Sequence, residues 1–350
     1  MQETTEENWA ASVDTDSSRH DPLDRTALRD QRNFLVISAI GLVVLVVAPL
    51  VVSDFYVSLL TEILIFGLLV SGVNLLLGYT GLVSLGHAAF MGIGAYTTAI
   101  GTSLLDFPVW AMMICSVLAS FLIAYGVGIL SVRTKGVQFL LITLAFGEMF
   151  HAIAEKSRVT GGDDGMTNIP RIDLEFLGLD ADHDRVFYFF VLACFVIAMA
   201  VLRRVVVSPF GRVLVGIREN EKRMLAVGYT AFPYKALAFA ISATLGGLAG
   251  SLWVQHGFFV NPHLMTWQMS GEALLMVIIG GSQAFFGPLL GAAFYVLTKD
   301  FLSDLTEAYL LFFGLLFVLV VAFFHGGLAG FAATLARRMR RGSAKQEGDQ

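Results

Sequence analysis

Runs of about twenty apolar residues recur along this chain, and a run of that length is what a helix needs to cross the hydrocarbon core of a bilayer. They fall at about 34–53, 56–78, 85–104, 109–131, 137–154, 186–207, 235–256 and 308–326. Hydrophobic residues are 56% of the 350 and charged residues 15%. Soluble domains carry about 25% charged residues, so the composition excludes a disordered chain and argues against an ordinary soluble enzyme. A net charge of -5 offers no basic surface for nucleic acid. The two cysteines, Cys115 and Cys194, are too few for a disulfide scaffold and sit in apolar runs, so both are expected to be small buried hydrophobes. The expected fold class is an all-α polytopic integral membrane protein of about 8–10 transmembrane helices.

The distribution of Lys and Arg sets an expected orientation, because cytoplasmic segments collect them. The tail 1–33, the loop 132–136, the loop 203–235 and the segment after 331 hold 18 of the 23. Both termini are therefore expected in the cytoplasm. That gives a polar cytoplasmic tail at 1–33, a membrane domain at 34–331 and a basic cytoplasmic tail at 332–350. Lys156, Arg158, Arg171, Arg185 and Lys299 are the exceptions. The stretch 271–298 is too long for one span and is interrupted by Gly280-Gly281-Ser282 and Gly287-Pro288. An even number of crossings is needed to return the basic C-tail to the inside. A broken or re-entrant pair near 271–298 is expected, and irregular backbone at membrane depth is tolerated only where protein or a water-filled cavity surrounds it.

Between the spans, 155–185 is the one sizeable external loop, with eight acidic residues and the turn-rich string Thr160-Gly161-Gly162-Asp163-Asp164-Gly165. The cytoplasmic loop 208–234 reads as a short amphipathic helix. Ser208-Pro209 starts it, Gly228 stops it, and Leu214, Ile217, Met224 and Leu225 form its apolar stripe. Such a helix lies at a membrane face and suits a groove on a partner. There is no GxxxxGK[ST] and no Gly-Lys pair, so the chain carries no P-loop. HExxH and GxSxG are absent too. Glu62, His87, Glu148, His151 and Glu272 are the ionisable residues within or beside spans, where charge is expensive. No chain of carboxylates lies in mid-membrane, which weakens a proton-coupled reading. Ser84 and His87 share a helix face, yet without an orienting acid they make a weak case for an intramembrane enzyme.

Four strings in order resemble one family. They are Gly78-Tyr-Thr-Gly-Leu-Val-Ser-Leu-Gly-His-Ala-Ala-Phe-Met-Gly-Ile-Gly-Ala-Tyr96; Thr143-Leu-Ala-Phe-Gly-Glu148 with Thr160–Gly165; Pro209-Phe-Gly-Arg-Val-Leu-Val-Gly-Ile-Arg-Glu-Asn-Glu221 running into Lys235 and Gly246-Gly-Leu-Ala-Gly250; and Gly280-Gly-Ser-Gln-Ala-Phe-Phe-Gly-Pro-Leu-Leu-Gly-Ala292. The chain is similar over about 34–331 to permease subunits of ATP-binding-cassette importers for branched-chain amino acids, the LivM type, with urea permeases close by. It departs from them at Phe324-His325-Gly326-Gly327-Leu328 and at Ser282-Gln283-Ala284.

The resemblance implies a transport subunit with no catalytic residue, metal or cofactor of its own, ATP and Mg being held by partners. Those partners would be a second, LivH-like permease, two ABC ATPase subunits and an external solute-binding protein, all at the cytoplasmic membrane. Gly211, Arg212, Arg218, Glu219, Asn220, Glu221 and Gly228 would belong to the ATPase-coupling helix. Ser84, Gly86, His87, Thr143, Glu148 and Glu272 would line or flank the translocation pathway. Thr160, Gly161, Gly162 and Gly165 would lie where the binding protein docks. A urea or short-amide importer of the same architecture is the alternative within the class, and a secondary transporter or intramembrane enzyme the alternative outside it.

Overall fold

The computed structural model describes residues 22–173, 183–282 and 284–305, with eight further positions between 311 and 330. All-α architecture is what it shows, with two-residue strands as the sole β structure among the described residues. Helix α1 spans Pro22–Val51 and belongs to a unit of its own, Met1–Ser53. It begins inside the stretch that composition marks as a polar tail. Pro22 stands at its start, where a missing N–H costs nothing.

The second unit holds the remaining helices. They are α2 (Asp54–Asn74, prolonged by a π-turn over Leu75–Thr80), α3 (His87–Ser103), α4 (Val109–Ser131), α5 (Val137–Lys156), α6 (Asp184–Val207), α7 (Pro209–Ala226), α8 (Ala231–Gly257), α9 (Trp267–Gly280) and α10 (Gly287–Leu305). Five segments are long and apolar enough to cross a membrane: α2 with its π-turn, α4, α5, α6 and α8. The interrupted stretch is two helices, α9 and α10, parted at 281–286. At 1.5 Å per residue, α9 is only about 21 Å long, short of a bilayer core. The expected span at 308–326 lies almost wholly outside the described residues. The expected span over 85–104 is helical only from His87, because residues 81–86 leave the helical path after the left-handed Gly81.

Two ends of the bundle can be told apart by their contacts. At one, Glu221 of α7 bonds both Lys135 of the 132–136 loop (2.9 Å) and Lys235 of α8 (3.1 Å), which brings the basic loops together. At the other, Arg185 of α6 bonds Asp54 of α2 (3.0 Å), and Ser58 of α2 meets His256 of α8 (3.3 Å).

Helix α8 is the hub, packed against α2, α3 and α4 along its small residues. Lipid tails are as apolar as leucine, so helices associate by close backbone approach and interhelical hydrogen bonds. Both devices are present. A Cβ on Gly250 would strike the Met91 carbonyl of α3, and one on Gly94 would strike the Gly247 carbonyl of α8. Thr98 of α3 bonds Ser116 of α4 (2.8 Å) and Ser251 of α8 (2.7 Å). The hairpin between α9 and α10 uses the same rule, since a Cβ on Gly280 would enter the Gly287 carbonyl and one on Gly291 the Met276 carbonyl. Gly327 lies against Gly281 in this hairpin, 2.5 Å separating its would-be Cβ from the Gly281 nitrogen. Cys115 is exposed on the outer face of α4 rather than buried, and Cys194 is intermediate.

Gly250→Val is expected to lower the melting temperature of the purified chain in detergent by more than any side-chain repacking can recover, since overpacking costs ~1–3 kcal/mol even where neighbours can yield. Gly126→Val, at an α4 position with nothing within 4 Å, serves as the comparison and is expected to leave the melting temperature unchanged.

Candidate functional site

Where a helix stops inside a bundle, its end groups need partners, because no water replaces the lost ladder. The break at 81–86 is such a place. Thr143 of α5 accepts from the Leu85 N–H (3.3 Å), Ser84 accepts from the Gly86 N–H (3.4 Å), and Ser270 of α9 accepts from the Ala88 N–H (3.0 Å). Gly86 sits where a Cβ would collide with the Thr143 carbonyl. His87 is fully buried at the start of α3, edge-on to Phe90 and Phe239.

Its tautomer follows from the proton count. Ser242 of α8 spends its single hydroxyl proton on the Gly72 carbonyl of α2. The 2.7 Å contact between Ser242 Oγ and His87 Nε2 therefore has the ring donating. Nδ1 is left to accept, and Ser84 Oγ lies 3.5 Å from it. Five helices, α2, α3, α5, α8 and α9, meet on this cluster, so Ser84, Gly86, His87 and Thr143 form one connected group. Ser242 and Ser270 complete it and are not evident from the sequence, where isolated serines in apolar runs carry no marker.

Glu148 lies further along α5. Its Oε1 accepts from the Trp267 N–H (3.2 Å), the first residue of α9, and His151 stands 4.0 Å from its other oxygen. A carboxylate at a helix N-terminus is stabilised by the free N–H groups and the dipole there. The starts of α3 and α9 thus both lie against α5, at Thr143 and at Glu148. Glu272 is not part of this group. It accepts from the Tyr295 hydroxyl and joins α9 to α10. Helices α3 and α5 touch at Gly86 and Gly147, where a Cβ on Gly147 would lie 3.1 Å from the Gly86 Cα. Farther along they part, leaving a cleft of about 420 Å³ walled by Tyr96, Ile100, Phe150 and Ile153 and roofed by Thr160.

The glycine turn is locally built. Thr160 Oγ1 bonds the carbonyls of Ala154 (2.5 Å) and Ser157 (2.9 Å) at the end of α5. Gly161, Gly162 and Gly165 all have positive φ (80°, 65° and 73°), which explains the glycine repeat. The chain then pairs as a strand, Met166 opposite Val260. Arg171, which motif reading passed over, is the anchor of this end. Its side chain is 4% exposed and bonds Asp184 at 2.8 Å and the Gln255 carbonyl at 3.2 Å. Its guanidinium lies 4.6 Å from the ring centres of both Phe187 and Phe258. Arg171 and Arg185 were exceptions to the charge distribution, and both are ion-paired. That exception was the available signal.

At the basic end, α7 differs from the single helix expected. Asn220 has φ −158° and ψ 93°, so the helix bends there, and the Asn220 side chain accepts from the Arg223 N–H (2.9 Å) to start the second piece. Ser208 caps the first piece by accepting from the Gly211 N–H (3.4 Å), and a Cβ on Gly211 would hit the Val206 carbonyl at this corner. Val213 and Ile217 are buried against Ala231, with Met224 and Tyr234 packed on them, and Leu214 is buried as well. Leu225 is exposed and so falls outside the expected stripe, because the bend rotates the last turn. Arg212 and Glu219 are exposed, and Gly228 (φ 96°) closes the helix in open space. Arg218 turns back from the exposed side, its Nη1 donating to the Gly78 carbonyl in the π-turn of α2.

Burial raises the Glu221 carboxyl, but hydrogen bonds and charge from Lys135 and Lys235 outweigh it and hold the group below the ordinary carboxylate range. A depressed folded-state value stabilises the docked α7 above the unfolded-state titration and loses that contribution as pH falls through the folded one. Hydrogen exchange of residues 209–226 is expected to quicken as pH is lowered into that range, after correction for intrinsic rates. Glu221→Gln is expected to be faster at neutral pH and to lack this added acid dependence.

Residues 55–321 match the family described as branched-chain amino acid transport system / permease component. The chain is 29% identical over 340 residues, 91% of its length and 79% of the relative's, to the high-affinity branched-chain amino acid transport system permease protein LivM of Escherichia coli. It is likewise 29% identical to the LivM protein of Salmonella typhimurium, over 87% of this chain and 77% of that one. A probable LivM of Methanocaldococcus jannaschii is 31% identical over 121 residues, 34% of each chain. No solved structure matches. The chain belongs to the family of branched-chain amino acid permease components.

Proposed function

With membership of that family as the premise, we propose that the chain is one of two membrane-spanning subunits of an importer for branched-chain amino acids. Uptake is driven by ATP hydrolysed on two separate ABC ATPase subunits. The match over residues 55–321, with alignment to a LivM protein along 91% of the chain, carries this reading. The second membrane subunit is LivH-like, and an external binding protein delivers the solute.

The basic end faces the cytoplasm and both termini lie there. Helix α7 is the element that enters an ATPase groove, offering Arg212, Glu219 and the bend at Asn220. Its apolar side is already committed to the chain's own core, so its polar side is what a partner meets. The acidic end faces outward, and the turn Thr160–Gly165 is the docking point for the binding protein. The pathway passes the cluster around Ser84, Gly86, His87 and Thr143, with Glu148 beside it. Serine hydroxyls and helix N-termini give a zwitterion transient partners there, and no permanent charge in the cluster would trap it. Glu272 has a scaffold role in holding α9 to α10.

Deleting the chain in its host is expected to abolish uptake of labelled leucine at low concentration and to leave urea uptake unchanged, with wild-type re-expression restoring it. Loss of urea uptake with leucine uptake intact would overturn the assigned solute.

A further inference from the structure

Helix α2 and its π-turn end at Thr80, and the last carbonyls of any helix lack partners within it. Leu76 is served three times over, by the Gly81 and Leu82 N–H groups and by the Thr80 hydroxyl (2.6 Å). The Gly78 carbonyl is served from another element, by the guanidinium of Arg218 on α7. The Arg218 stem also fills the space beside Gly81, where a Cβ would lie 3.0 Å from Arg218 Cγ. Gly78 meets the other interrupted segment too, since a Cβ there would strike the Ser282 carbonyl in the α9–α10 hairpin turn. One arginine of the surface helix therefore grips the point where two broken segments meet.

What lies beyond the grip is a short strap. From Gly81, five residues lead through Ser84 to His87 and its cluster. The strap has no helical ladder to absorb a displacement. The rest of α7 is held differently. Val213 and Ile217 seat its first piece on the start of α8, and Glu221 ties the second to Lys135 and Lys235. A shift of α7 thus reaches the bundle by two routes; the Arg218 route meets the strap directly at Gly81, whereas the other passes first through α5 and α8.

Resting on the reading of this chain as an ATP-driven permease, we infer that Arg218 is not an ATPase contact but a positioning residue that transmits movement of α7 to the strap 81–86. Arginine suits the task because its planar fork keeps a fixed direction to a carbonyl while its charge complements the negative end of a helix. A purely structural cap of α2 would use the same contacts, so the test has to separate stability from coupling.

The complete importer, with its second permease, ATPases and binding protein, is reconstituted in vesicles, and leucine uptake and ATP hydrolysis are measured on one preparation. Arg218→Met is expected to retain hydrolysis while uptake per ATP falls by about 10-fold, the loss of ~1.4 kcal/mol of coupling. Arg218→Lys, which keeps the charge at the helix end, is expected to recover part of that ratio. If uptake and hydrolysis fall together at constant ratio, Arg218 is an ATPase contact or a structural cap, and the inference is overturned. An unchanged ratio with both rates intact overturns it as well. Absence of ATP-dependent leucine uptake by the wild type would instead remove the underlying reading, and the inference with it.

Discussion

A backbone buried in a membrane protein has no water to fall back on, and the unpaired ends of its helices must find partners inside the fold. That constraint governs this structure at 81–86 and at 281–286. At the first, three side chains, Ser84, Thr143 and Ser270, accept the N–H groups of the break and of the start of α3. His87 and Ser242 then tie the same point to α2. One group of buried polar residues, Ser84, His87, Thr143, Ser242 and Ser270, is gathered at this interruption. Side chains from three neighbouring helices, α5, α8 and α9, thus hold the break and the residues that follow it.

The glycines serve the same constraint from outside the break. Contacts such as Gly94 on Gly247, Gly250 on Met91 and Gly86 on Thr143 bring backbones close enough for Thr98, Ser116, Ser242 and Ser251 to bond across helices. Interhelical hydrogen bonds of this kind average only about 0.6 kcal/mol each. Their number and the close approach make the hub around α8, and no single bond dominates it. Parting of α3 from α5 beyond Gly147 leaves a cleft between this pair.

Much of this was legible in the chain. Apolar run length placed α2, α4, α5, α6 and α8 to within a few residues, because a bilayer fixes span length. The Gly280–Pro288 interruption gave the α9–α10 split, and the basic loops located one end of the bundle. Other features were not legible, for physical reasons. The break at 81–86 falls at the junction of two apolar runs, but its repair was hidden, since it comes from Thr143, Ser242 and Ser270, far away in sequence. Bending at Asn220 turns on a side chain that competes with its own backbone, and an amphipathic pattern averages over it. Glu272 looked like Glu148 in the sequence and proved to bond Tyr295 of α10. Arg171 carried no motif and is the most enclosed cation at its end of the bundle.

The central proposal is that the interrupted segment at 81–86 lies on the transport route, and in an ATP-driven importer it would then open to opposite faces at different stages of the cycle. Its most direct test is the reactivity of Ser84→Cys, in a background with Cys115 and Cys194 replaced, toward a membrane-impermeant thiol reagent applied from each face of the assembled importer. The account predicts labelling from one face without nucleotide and from the opposite face when hydrolysis is arrested in the ATP-bound state. Labelling from neither face in either state, with transport intact in the Ser84→Cys protein, would contradict it.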